Sequence, residues 1–177
     1  MKLIAKTSDK SKNCIDVNAL QLSPEFKNLS RFFEKKENFD LAETILKKKK
    51  KISLRIVEFV TANSKRFFFN IEMHGVFRDK LDSLGKRDFD IFRRSCRFDV
   101  ELGNKSFTTN LSQMRFFQHA IRAGVIQWLL DSEDNVKKAE KEMAKEVEKK
   151  ALRKKGSRKK RKRELKAVGA SNVTFHF

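Results

Sequence analysis

The sequence predicts an α+β domain in which two β-hairpins pack with helices, extended by a long charged C-terminal helix and a disordered basic tail. Three observations carry this expectation. Phe98, Val100 and Leu102 alternate with Arg97, Asp99 and Glu101, the period-two pattern of a strand buried on one face. Just downstream, Met114, Phe117, Ile121 and Trp128 recur at helical spacing, flanked by Phe116 and Ala120. Beyond Ser132 the apolar content thins and charge takes over. The expected organisation is an N-terminal arm with short helices over 1–50, an α+β core over 51–131 and a charged helix over 132–155. A basic tail over 156–177 follows and ends in a hydrophobic, strand-like segment.

Residues 2–6 and 14–17 are expected as short strands or ordered arms. Ser23-Pro24-Glu25 marks a helix start: an N-cap, a proline at the first helical position and an acid at the positive helix end. That helix should bury Phe26, Leu29 and Phe33, and a second should run from Asp40 to about Lys48. Lys47, Lys48, Lys49, Lys50 and Lys51 form an unbroken cationic run, expected as a solvated loop or helix end, or else as a phosphate contact or part of an import signal.

Residues 52–61, ISLRIVEFVT, are rich in β-branched and aromatic side chains and predict a strand. A turn over 62–65 and a return strand over 66–73 would complete the first hairpin, with Phe67, Phe69, Ile71 and Met73 on one face. Lys65, Arg66 and Phe68 are candidate nucleic-acid contacts there, Phe68 as a ring that stacks on a base. The alternative is a ring packed on a helix, since the glycine spacing of an RNA-recognition signature is missing. A helix from about Val76 to Arg94 should bury Phe77, Leu81, Leu84, Phe89 and Phe92, with Gly85 its weak point.

Gly103-Asn104 supplies the turn of the second hairpin, and residues 106–109 return as its partner strand. Asn110 and Gln113 have the spacing of a reciprocal helix cap. Gly124 is expected in the left-handed conformation just past that helix, with Val125 folding back and another helix beginning. Ser132-Glu133-Asp134 caps the charged helix, which Gly156-Ser157 should break. The run at 158–163 is too self-repelling to fold alone. Residues 171–177, SNVTFHF, alternate Val173, Phe175 and Phe177 and suit docking as an edge strand.

Charge is the dominant global property. The 177 residues carry a formal net charge of +19, and twelve Lys or Arg against one acid place +11 of it within residues 149–166. Chains this basic meet polyanions. The candidate phosphate-binding residues are Lys149, Lys150, Arg153, Lys154, Lys155, Arg158, Lys159, Lys160, Arg161, Lys162, Arg163 and Lys166, joined by Lys47–Lys51, Lys65 and Arg66. The run at 158–163 also resembles a nuclear-import signal.

Catalytic constellations are missing from the sequence, so no enzyme, cofactor or metal site is expected. His74, His119 and His176 lack ligand spacing, and Asp88 and Asp90 are better placed as caps or partners of Arg93 and Arg94 than as metal ligands. Cys14 and Cys96 form neither a zinc motif nor a disulfide framework and are expected as small hydrophobes in a reducing compartment. No hydrophobic run is long enough for a signal peptide or a membrane span.

Two motifs carry a resemblance. Phe89, Asp90, Phe92, Arg93 and Arg94 form one; Thr108, Thr109, Gln113, Phe116 and Phe117 form the other, with one extra residue between the threonines and the glutamine. Together they resemble an uncharacterised family of small basic proteins of large nucleocytoplasmic DNA viruses. The resemblance implies a viral setting: a virion, a cytoplasmic virus factory or the host nucleus. The expected function is non-enzymatic, sequence-independent nucleic-acid binding in genome packaging or virion assembly, with DNA favoured over RNA. One alternative is a structural component with a protein partner at residues 132–155 or 171–177, whose tail serves import or solubility. The other is a ribosome-associated RNA binder.

Overall fold

The computed structural model describes residues 4–7, 16–67, 89–93 and 95–168. In chain order the elements begin with strand β1 (Ile4–Thr7) and helices α1 (Val17–Leu22), α2 (Pro24–Phe33), α3 (Lys36–Leu46) and α4 (Leu54–Ala62). A 3₁₀ turn (Ser64–Arg66) follows α4. Strands β2 (Phe98–Leu102) and β3 (Lys105–Thr109) lead into helices α5 (Leu111–Arg122), α6 (Val125–Asp131) and α7 (Glu133–Val168). The chain divides into two units, residues 1–137 and 138–177.

The first unit is built on a three-stranded antiparallel sheet in the order β1-β2-β3. Strand β2 lies at the centre, pairing Phe98 with Thr7 on one side and with Thr109 on the other. Its turn has a positive φ at Gly103 (63°) and none at Asn104, the pattern of a type II′ hairpin turn. The alternation seen in the sequence decides which face is inward: Phe98, Val100, Leu102 and Phe107 are buried. Helices α2 and α3 cover that face. Phe26 meets Phe98 edge-on at 5.9 Å between ring centres, and Phe39 tilts against Phe107 at 4.8 Å. Helix α5 completes the core with Met114, Phe116, Phe117 and Ala120, all buried, while Ile121 and Trp128 are half-buried.

The caps explain where the helices begin. Ser23 Oγ accepts from Phe26 N at 3.2 Å, with Pro24 at the first helical position, as its sequence signature predicts. Helix α3 starts four residues earlier than Asp40 and buries Phe39, Ala42, Glu43 and Ile45. Asp16 caps α1 through Asn18 N and Ala19 N, so Val17 opens a helix and is not part of a strand. Residues 14 and 15 lie outside the described residues.

Three further expectations are corrected. Residues 54–62 form helix α4, not a strand, so among the described residues there is one β-hairpin, and β1 supplies the third strand. Ser53 Oγ caps α4 at Ile56 N (3.3 Å), and Ile56, Val57, Val60 and Thr61 share one buried helical face. Packing of that face overrides the β preference of its branched side chains, a preference that is strongly context-dependent. Arg66 closes a 3₁₀ turn where a return strand was expected to begin; residues 68–73, including Phe68, lie outside the described residues.

The helix expected over 76–94 falls largely on residues outside those described, but 89–93 form a turn and not an α-helix. Asp90 Oδ1 accepts from Phe92 N at 2.8 Å, an Asx-type turn that buries Phe89 and turns Phe92 outward. Helix α7 passes through Gly156-Ser157 to Val168, so the stretch expected to be disordered is helical to that point. An interior glycine costs only about 1 kcal/mol, and the Ala-, Glu-, Lys- and Arg-rich flanks are strong helix formers. Within the second unit, Lys145 pairs with Glu142 at 2.6 Å and Lys150 with Glu146 at 4.0 Å. Residues 169–177, with the SNVTFHF segment, lie outside the described residues.

Candidate nucleic-acid interface

The two motifs that are separate in sequence meet in space. Asn110 caps α5 by accepting from Gln113 N at 2.9 Å, and its own amide donates to the Arg93 carbonyl at 3.1 Å. Gln113 is buried, and it does not reach back to the cap. It donates instead to the Ile91 carbonyl at 2.8 Å. Arg93 closes the network on Ser112 Oγ at 3.3 Å. A single polar junction at the start of α5 thus fixes residues 91–93, and with them the outward ring of Phe92. Phe92 is 44% exposed, an unusual state for a phenylalanine in a chain that buries so many.

Beside that ring lies the five-lysine run, and its geometry separates the lysines by role. Helix α3 ends in a Schellman motif, in which Lys48 N donates to Ile45 O (3.1 Å) and Lys49 N to Thr44 O (3.0 Å). The pattern puts Lys48 in the left-handed region, with φ 52°, the position glycine normally fills. Lys47 and Lys49 turn back to the buried carboxylate of Glu43, at 3.1 and 2.7 Å. Burial alone would push the Glu43 carboxyl up. The hydrogen bonds from Lys49 and Lys47, with their charges, outweigh it and hold the group below its ordinary value. Lys50 Nζ donates to the Leu130 carbonyl at 3.0 Å, closing the C-terminal end of α6.

Lys48 and Lys51 remain, and they face a groove. It has a volume of about 580 Å³ and runs between the end of α3, the lysine run and the first turn of α4. Ile45, Leu46, Ile52 and Leu54 make its apolar floor; Lys48, Lys50, Lys51 and Arg55 supply charge, and Phe92 forms one wall. No acidic side chain among the described residues lines it. Arg55 and Phe92 were not among the expected site residues. Reading 52–61 as a strand hid Arg55 from the lysines, and reading 89–94 as a buried helix face hid Phe92. The Ser53 cap signal four residues before Val57 was the available clue.

The remaining expected residues are distributed differently. The side chain of Lys65 lies outside the described residues, and Arg66 is exposed at the end of the 3₁₀ turn. Lys149, Lys150 and Arg153 are exposed on α7. Lys154, Lys155, Arg158, Lys159, Lys160, Arg161, Lys162, Arg163 and Lys166 belong to the same helix, and their side chains lie outside the described residues. Among the described residues no group of His, Cys, Asp and Glu has the arrangement of a metal site, and Cys96 is half-buried. Among the described residues no helix is long and apolar enough to cross a membrane.

A family model described as a family of unknown function (DUF7197) matches residues 7–173, nearly the whole chain. No curated protein and no solved structure matches.

Proposed function

The chain belongs to this family of unknown function, DUF7197, and we propose for it a non-enzymatic role: sequence-independent binding of nucleic acid, with DNA favoured over RNA. One observation supports the reading above others. Residues 149–166 carry +11 of the chain's +19, and they lie on one helix continuous to Val168. Eighteen helical residues span about 27 Å, so this segment offers roughly one cation per 2.3 Å of axis. A duplex carries about one phosphate charge per 1.7 Å. The two densities are comparable. Each phosphate neutralised by Lys or Arg releases a condensed counterion, which drives association without any contact to a base.

Genome packaging or virion assembly of a large DNA virus is the setting we propose, on the strength of the two motifs that meet at Asn110 and Gln113. A protein-interaction role is the rival reading. Its support is that Val147 and Leu152 are each 62% exposed on α7, apolar side chains available to a partner.

The test is a full-length chain in which Arg158, Lys159, Lys160, Arg161, Lys162 and Arg163 are all replaced by Gln. Duplex affinity at low salt should fall more than tenfold, and the slope of log affinity against log salt should shrink by about 5, or ~0.9 per lost charge. Fluorescence anisotropy of a labelled duplex across a salt series reads both. An unchanged slope and affinity would overturn the proposal and leave the partner-binding reading.

A further inference from the structure

The groove between α3 and α4 combines features that a solvated loop does not need. Of the five lysines, three are committed to Glu43 and to the end of α6. Among the described residues, Lys48, Lys51 and Arg55 make no ion pair, and all three line a cavity to which those residues contribute no acid. Like charges held close together repel one another unless an anion joins them. The first turn of α4 adds the positive end of a helix to the same wall. The floor is apolar, and an exposed phenylalanine stands at the side, positioned by the junction at Asn110 and Gln113. The ligand that matches this set has an anionic group and a flat apolar face on one small unit.

Lys48 supplies a separate observation. A glycine at its left-handed position would relieve backbone strain, yet the chain places there a long cation that points to the groove. Strain of this kind persists where a side chain is used.

We propose that this groove is a second, core-borne site for one unstacked nucleotide of a single-stranded nucleic acid. Lys48, Lys51 and Arg55 hold its phosphate, and the base stacks on Phe92. Duplex bases are already stacked on their neighbours and offer no free face to the ring, so the site selects single strands. The inference rests on nucleic acid being the ligand of the chain. It differs from the tail's role in reading a base face and not charge alone.

The experiment uses the full-length protein at physiological salt, with labelled oligo(dT), labelled oligo(rU) and a duplex as probes. Phe92→Ala should weaken oligonucleotide binding about 5- to 100-fold, the range of one lost stacking contact. Duplex binding should change by less than about twofold, because phosphate contacts carry it. Lys48→Gly should weaken the oligonucleotides several-fold while raising Tm by about 1–4 °C. Loss of binding in a stabilised protein cannot be ascribed to unfolding, so this second variant decides the matter even if Phe92→Ala disturbs the fold. A loss confined to oligo(dT) or to oligo(rU) supports the site and shows which of the two strands it prefers. Oligonucleotide binding unchanged in both variants overturns the groove and leaves the tail's role standing. Equal loss on single strand and duplex overturns the stacking role. A parent protein that binds none of the probes overturns both readings together.

Discussion

Among the described residues two helices end with a residue in the left-handed conformation, and the chain fills the two positions differently. Helix α5 ends at Gly124, φ 72°, where the turn hands over directly to α6. Helix α3 ends at Lys48, φ 52°, where the turn opens onto the lysine run. A Cβ added at Gly124 would meet nothing within 4 Å, so glycine is there for its backbone and not for lack of space. The first connection is solved for stability. The second accepts strain and places a cation beside a groove. The α5–α6 side therefore behaves as scaffold, and the α3–α4 side is where the proposed binding lies.

The sharpest way to break that contrast is to truncate one ring on each side. Phe117 on α5 is 1% exposed, and Phe92 beside the groove is 44% exposed. Phe117→Ala removes buried apolar surface and leaves a cavity, together about 3–5 kcal/mol. A domain has only about 5–15 kcal/mol in total, so the variant should unfold at much lower urea. Phe92→Ala should stay within about 0.5 kcal/mol of the parent. Urea titrations followed by Trp128 fluorescence compare them. If the two variants lose similar stability, Phe92 is a core ring and the contrast fails.

The next largest effect separates the two connections by pH. Glu43 is 2% exposed, and it anchors Lys47 and Lys49. Its carboxyl is held below the ordinary value in the folded state. A carboxylate whose pKa is depressed by folding contributes stability above its unfolded pKa of about 4.3, and that contribution disappears as pH falls through the folded value. Glu43→Gln should therefore cost about 1–3 kcal/mol near neutral pH, from the loss of two charge-assisted hydrogen bonds. The gap from the parent should close in acid, once the parent's own carboxyl is protonated. Gly124→Ala carries no titrating group and should show a pH-independent gap. Urea midpoints of the three proteins at neutral and acid pH provide the check; a Glu43→Gln gap that persists unchanged in acid would remove the ion pairs from the account.

What the sequence made legible follows the same division. The hairpin at 98–109, the Ser23 and Asn110 caps and the left-handed Gly124 each have a residue type whose chemistry suits one backbone shape. Helix α4 was misread because Ile56, Val57 and Val60 favour strands locally, while burial against neighbouring elements decides the outcome. The groove was illegible for a related reason. Lys48 gives no sign that it sits where glycine belongs, since its neighbours are also lysines. Phe92 becomes exposed only because Asn110 and Gln113, about twenty residues later, hold the carbonyls of Ile91 and Arg93. Contacts of that separation leave no periodic trace in the sequence.

The smallest expected effect is also the most direct comparison, an exchange of residue types between the two left-handed positions. Gly124→Ala puts a Cβ into a conformation that strains any L-residue, by about 1–2 kcal/mol. Part of this is returned because alanine has fewer unfolded conformations than glycine. The net loss should be about 1 kcal/mol, with no clash to enlarge it. Lys48→Gly reverses both terms and should gain about 0.5–1 kcal/mol. The two changes lie in separate turns with no shared partner, so the double variant should return close to the parent, within about 0.5 kcal/mol. Opposite signs of this size in urea titrations would show that lysine is held at position 48 against its backbone preference. A Lys48→Gly variant that loses stability would mean that the lysine side chain supports the fold by packing, and the reason for placing the binding site on the α3–α4 side would go with it.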